Sequence, residues 1–306
     1  MDPVRVMDNC VILQLSFSCM GLVRKVATSA VDMKTSGSQE DVPTGALRLS
    51  KRLLDSAAFD AICSADGAFE RKVKRFALPF QRGFHFLPIG LVEKVVGDCR
   101  DYAEVQRPAL VDAFVLDYAN AVEQARTDLG PLFDEDDYPT VEDVRASFKV
   151  RYRVLEFGVP GKLREISPTL FAEEAEKARE QWQDAAAMMQ ESMRQAFAVL
   201  VASLRERLDG DRENGKAKVF RDSRIANLQE WLGLFEARNV ASDEALAELV
   251  QKAKGLLSGV SADTLRRRGD IREEVAGGLK AIEQACSTLV VADAPRRKFR
   301  LDADNN

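Results

Sequence analysis

From Ser167 to Asp209 apolar side chains recur once per helical turn, with no glycine and no proline beyond the first turn. Phe171, Ala175, Ala178, Trp182, Ala185, Met189, Met193, Phe197, Leu200, Leu204 and Leu208 advance about 3.7 residues per step, closer to a straight helix than to the roughly 3.5-residue repeat of a left-handed supercoil. The spacing predicts one long helix over 167–209 and disfavours a long two-stranded coiled coil. Ser167 is placed to cap it, Pro168 fills the first helical position, where its missing N–H costs nothing, and Asp209-Gly210 stops it. Such a rod measures roughly 60 Å. Part of it is expected to project or to pack against other helices.

Two stretches alternate instead with period two, the signature of strands. Residues 11–19 place Val11, Leu13, Leu15, Phe17 and Cys19 on one face and Ile12, Gln14, Ser16 and Ser18 on the other. Residues 148–157 set Phe148, Val150, Tyr152 and Val154 against Lys149, Arg151 and Arg153. A lone strand leaves its backbone groups unsatisfied, so the two runs are expected to pair. Between them the pattern predicts a helical region over 47–76 with a possible break at Asp66-Gly67, and a punctuated connector from Leu78 to Pro88. A second helical region follows over 89–129, kinked or broken just before Pro108, and then a short helix begins near Thr140. After the long helix come three more, about 216–238, 242–257 and 262–290, joined by short polar links that suggest antiparallel neighbours.

The fold class is therefore mainly α. A small sheet (strands near 11–19 and 148–157) belongs to an N-terminal α+β domain over 1–160, and an antiparallel helical domain over 161–292 is built on the long helix. The Ser-, Thr- and Gly-rich segment 27–45 reads as a loop, and 293–306 as a flexible tail.

Composition narrows the function. With 46% hydrophobic and 30% charged residues, and a formal charge of −5 over 306 residues, the chain reads as a water-soluble protein with no general affinity for nucleic acid. No segment has the roughly twenty apolar residues that span a bilayer, and the run 11–23 lacks the basic flank of a leader, so a cytoplasmic location without membrane contact is expected. Cys10, Cys19, Cys63, Cys99 and Cys286 are widely spaced, with no C-x-x-C pair, and read as reduced core thiols.

Chemistry is thinly represented. There is no phosphate-binding P-loop, no dinucleotide fingerprint and no H-E-x-x-H pair, so neither catalytic nor cofactor-binding residues are assigned, and no cofactor. The single histidine, His85, reads as a structural or surface residue rather than a catalytic one. Asp134, Glu135, Asp136 and Asp137 lack the glycine and closing glutamate of a calcium loop, so no metal site is assigned, and they stand as a candidate partner contact. Glu142 and Asp143 are accounted for by the start of a helix. Basic groups cluster at Arg71, Lys72, Lys74 and Arg75, at Lys149, Arg151 and Arg153, at Arg266, Arg267 and Arg268, and at Arg296 to Arg300. If they converge they offer a phosphate or nucleic-acid contact. Met188, Met189 and Met193 read as soft core filling.

The order of several of these features carries a resemblance: Gly21, Arg24 and Lys25 after the first strand, then Lys51-Arg52-Leu53-Leu54, then Phe84 to Pro88, then Phe114 with Tyr118, then Phe148 to Pro160. Over roughly residues 8–290 the chain resembles a bacterial, archaeal and phage domain family of unknown function, encoded near MoxR-type AAA+ ATPases and cobaltochelatase-like von Willebrand A-domain proteins. The resemblance implies no catalytic residue. It implies protein partners, an AAA+ ATPase and a von Willebrand A-domain protein, for which an exposed acid within Asp134 to Asp137 would be a ligand of the A-domain's Mg²⁺. The expected function is that of a non-enzymatic adaptor in such a system of a phage, plasmid or bacterium. A nucleic-acid-associated protein of a mobile element is the second expectation, and a metal-dependent enzyme the third; oligomeric state is left open.

Overall fold

A computed structural model describes residues 8–26, 48–156, 158–208 and 222–292 of the chain. The fold is mainly α-helical with a small sheet component, as the periodicities predict. The expected loop over 27–45, the link after Gly210, the start of the helix near Lys216, the basic group at Arg296 to Arg300 and the tail lie outside the described residues.

The elements run in the order β1 (Cys10–Ser18), β2 (Val23–Val26), β3 (Leu49–Arg52), α1 (Ala57–Phe76), β4 (Leu78–Gln81), β5 (Phe84–Pro88), α2 (Val92–Asp101), α3 (Arg107–Leu129), α4 (Val141–Ser147) and β6 (Lys149–Leu155). They continue as α5 (Lys162–Ile166), α6 (Pro168–Leu208), α7 (Asp222–Arg238), α8 (Glu244–Leu256), α9 (Ala262–Arg267) and α10 (Gly269–Ala292). One sheet has the order β4-β5-β1-β6, so the two alternating runs are neighbours as expected, and β2 and β3 form a separate antiparallel ladder. Cys10, Ile12, Leu13 and Leu15 are all buried, which suits a strand flanked on both sides.

Four expectations are corrected. Residues 49–52 are not the start of a helix but β3, because they pair in register with Val23–Val26. The connector 78–88 is a β-hairpin, β4 and β5, turning at Gly83 with φ +78°, a conformation that glycine adopts without strain. The helix predicted over 262–290 is two helices, α9 and α10, meeting at Arg268. No break occurs at Gly67, which lies within the continuous α1.

The chain divides into two compact units, each assembled from separated segments rather than split near residue 160. The first is drawn from Met1–Leu13, Lys74–Val92 and Val154–Asn306, the second from Gln14–Val73 and Glu93–Arg153. The hairpin belongs with the helical segment because Phe86 of β5 packs against Trp182 of α6, ring centroids 5.4 Å apart.

In the first unit α6 is the spine. Ser167 caps it as predicted, its Oγ accepting from Leu170 N at 3.2 Å. Trp182, Met189, Met193, Phe197, Val201 and Leu204 bury one stripe against Leu228 and Phe235 of α7, Leu246 and Val250 of α8, and Leu279 and Cys286 of α10. No α6 residue before Trp182 is buried, so roughly 20 Å of helix lies ahead of the core-facing stretch. A buried ion pair locks the bundle: Arg194 Nε meets Asp243 Oδ2 at 2.6 Å, while Asp243 Oδ1 caps α8 by accepting from Leu246 N at 3.0 Å.

The second unit packs α1 and α3 around Leu53, Phe59, Ile62, Phe114, Tyr118 and Val144. Pro108 does disturb the helix before it. Proline removes a donor and crowds the carbonyl four residues back, and the strain is absorbed by a π-helical turn over Tyr102–Gln106 between α2 and α3. That wide turn sets Tyr102 and Arg107 on Asp66 of α1: Tyr102 OH donates to Oδ1 at 2.7 Å, and Arg107 donates to both oxygens at 2.8 and 3.0 Å. Arg107 also donates to Ser18 O at 2.9 Å. Burial, then the hydrogen bond to Asp66, pushes the Tyr102 phenol up.

Candidate functional site

The acidic loop is built outward from two helix ends and a ladder. Leu129 ends α3, Gly130 takes φ +49° at the start of a 3₁₀ turn over Gly130–Leu132, and a second 3₁₀ turn over Glu135–Asp137 precedes Thr140, which caps α4 by accepting from Asp143 N at 3.2 Å. The loop is braced internally by Asp134 Oδ1, which accepts from Asp136 N at 3.1 Å. Phe133 and Tyr138 stack across it with centroids 4.8 Å apart, Arg126 lies 4.3 Å over the Phe133 ring, and Tyr138 OH donates to Leu53 O at 2.9 Å.

Its four carboxylates do not share one role. The register of β2 with β3 sets Arg24 beside Lys51, and both reach Asp137: Lys51 Nζ at 2.6 Å and Arg24 Nε at 3.5 Å. Lys51 Nζ also donates to Leu132 O at 2.6 Å, so the ladder holds both ends of the loop. Glu135 lies 3.8 Å from Arg126 Nη2. Asp136 is exposed, and its carboxylate has no cationic or hydrogen-bonding partner among the described residues. Arg24 and Lys51, noted in the sequence for their order alone, are thus braces for Asp137. Arg126 went unremarked because a basic residue in the last turn of a helix is accounted for by the dipole.

The basic clusters are largely committed elsewhere. Lys72 meets Asp98 at 2.9 Å, Arg75 meets Glu230 at 3.3 Å, Arg267 meets Asp263 at 3.1 Å and Arg268 meets Asp270 at 2.6 Å. Arg71 is exposed on α1, and Lys74 and Arg266 each have an interaction of their own. Lys149, Arg151 and Arg153 form an exposed row along β6, the last strand in the sheet order, where charged side chains keep a sheet edge from pairing with another chain.

His85 is buried on β5 and has a partner, in keeping with a structural residue. Cys10, Cys99 and Cys286 are buried free thiols, and burial pushes them up to about 12, 11 and 11. Cys19 and Cys63 are free but exposed, against the expectation that all five lie in the core. Cys19 lies just past β1, and Cys63 occupies an exposed position within α1. Among the described residues no three His, Cys, Asp or Glu side chains are grouped so as to hold a metal ion, and no helix is long and apolar enough to cross a membrane. Comparison of the chain with protein families, with curated proteins and with solved structures finds no match.

Proposed function

We propose that this protein is a non-enzymatic adaptor that works with an AAA+ ATPase and a von Willebrand A-domain protein, and that Asp136 is the acid it offers to the A-domain's Mg²⁺. The supporting observation is the division of labour in the acidic loop. Lys51, Arg24 and Arg126 hold Asp137 and Glu135, Asp134 ties down the turn, and Asp136 is left exposed with its charge uncompensated. A carboxylate presented on a braced turn loses little conformational freedom on capture, which favours coordination by a partner's cation. The identity of the partners rests on the family resemblance.

The test is co-purification with the A-domain protein encoded beside the gene. Wild type and Glu142→Gln should retain it in Mg²⁺ and release it in chelator; Asp136→Asn should not retain it. Equal retention by Asp136→Asn would overturn the assignment. The row Lys149, Arg151 and Arg153 favours the second reading, nucleic-acid association. That reading requires a gel shift that weakens steeply between about 50 and 200 mM salt and is lost when the three are replaced by glutamine.

A further inference from the structure

The first unit contains a cleft of about 210 Å³ whose wall is one face of α7: Asn227, Glu230, Trp231, Leu234 and Arg238, closed by Leu200 of α6 and Arg75. Two of its donors are buried without a partner among the described residues. Arg238 is 7% exposed, and its Nε makes no hydrogen bond; no carboxylate pairs with it among the described residues. Trp231 is 8% exposed, and its indole Nε1 likewise has no acceptor among the described residues. Buried arginines are ordinarily paired, and an unsatisfied buried donor is costly, so two on one cleft wall call for an acceptor from outside the fold. The absence of a counter-charge is felt by the guanidinium itself, which burial pulls down to about 10.

The lining narrows the chemistry of that acceptor. Leu200, Leu234 and the Trp231 ring make the wall mostly apolar, so the ligand brings an apolar body as well as a charge. Arg75 is neutralised by Glu230, with Nη1 at 3.3 and 3.4 Å from its two oxygens, which leaves Arg238 as the one uncompensated charge of the lining. A single uncompensated cation balances one negative charge and not two. The cleft is also smaller than the roughly 300–1,000 Å³ of sites for drug-sized molecules. A planar guanidinium with an indole N–H on the same wall matches the two oxygens of a carboxylate better than a dianionic phosphate in these surroundings.

We infer that this cleft is a binding site for a small monoanion, a carboxylate carrying a short aliphatic or aromatic body, held by Arg238 and Trp231. The inference is independent of the adaptor reading, since it concerns α6 and α7 and not the acidic loop.

The test is calorimetric titration of the full chain with benzoate and hexanoate, with hexanol and inorganic phosphate at matched ionic strength as comparisons. Binding of at least one carboxylate and of neither comparison compound is expected. Arg238→Met should weaken that binding about 10- to 100-fold, and Trp231→Phe, which keeps the ring and removes only the donor, by about 2- to 10-fold. Without ligand, Arg238→Met should melt at or above the wild-type temperature, because a buried charge with no partner is removed. No heat with either carboxylate, binding of hexanol as tight as that of hexanoate, preferential binding of phosphate, or unchanged carboxylate affinity in Arg238→Met would each overturn the inference. So would a marked fall in its melting temperature, which would show that Arg238 has a partner within the chain.

Discussion

Replacing Asp243 by alanine should be among the most damaging single changes in the helical unit, and its cost can be worked out from the contacts. Asp243 is 3% exposed and Arg194 7%. One carboxylate oxygen takes Arg194 Nε at 2.6 Å, the other caps α8 through Leu246 N, and the Asp243 amide donates to Asn239 Oδ1 at 2.9 Å. Removing one partner of a buried ion pair costs about 3–5 kcal/mol, because the other charge stays behind without its counter-ion. Loss of the cap adds ~1 kcal/mol. For a unit of this size, a total of ~5 kcal/mol corresponds to a fall in Tm of about 10–20 °C. Asp243→Asn keeps a capping oxygen and should fall between alanine and wild type. Arg194→Met with Asp243→Asn removes both charges and should come within about 2 kcal/mol of wild type, since a buried pair is worth little against apolar replacements. Urea unfolding read by tryptophan fluorescence suits the unit, which contains both Trp182 and Trp231. An Asp243→Ala variant that melts less than about 3 °C below wild type, or a double variant as unstable as Asp243→Ala, would refute the reasoning.

Two adjacent glycines of α10 should respond with opposite sign. A methyl group at Gly277 meets nothing within 4 Å, so Gly277→Ala should stabilise by about 0.5–1 kcal/mol. At Gly278 it would lie 2.7 Å from Leu256 Cδ2, so Gly278→Ala should cost about 1 kcal/mol or more; equal effects in urea denaturation would contradict this. Ser167→Ala should lower the stability of the first turn of α6 by about 1 kcal/mol, seen as faster amide exchange near Leu170 and little change elsewhere. The buried thiols give a pH dependence whose sign is fixed. Cys10, Cys99 and Cys286 stay neutral in the fold up to about 12, 11 and 11, whereas in the unfolded chain they ionise near their ordinary value of 9.0. Their contribution is therefore complete below pH 9 and is lost as pH rises towards 11 to 12. A variant with all three as alanine should show a shallower decline in that window, and an unchanged slope would contradict the assignment.

The long helix was legible because its signals agree: one apolar residue per turn, a capping serine and a proline where proline is harmless. The pairing of β1 with β6 was legible because each alternates over seven residues or more. What failed to show was short and polar. Val23–Val26 and Leu49–Arg52 are four residues each, too short for a period of two to stand out, and only their mutual register makes them strands. Leu78-Pro79 and Leu87-Pro88 resemble punctuation, yet prolines are tolerated at strand ends. The candidate site residues were legible by type and not by assignment: the acidic loop was visible, but which of its carboxylates is free depends on Lys51 and Arg24, more than eighty residues away. Arg238 left one trace. It continues the 3-4-3 spacing of Leu228, Trp231 and Phe235, and a charge in the next place of an apolar stripe is the mark of a buried ion. Its position in the last turn of a helix, where cations are commonplace, concealed that.

The interleaving of the two units has a consequence for how the chain is made. It passes between them at residues 13/14, 73/74, 92/93 and 153/154, so no single cut yields either one whole. A fragment beginning at residue 161 would lack β1 and the hairpin whose Phe86 covers Trp182. On the ribosome β1 emerges well before β6, and Ser18 finds its neighbour Lys149 only 131 residues later. At about 5–20 residues per second, that strand waits roughly 7–26 s with one edge bare. Its apolar run from Val11 to Leu15 is the segment a chaperone would be expected to shield during that interval, and the place where slowed synthesis would first lead to aggregation.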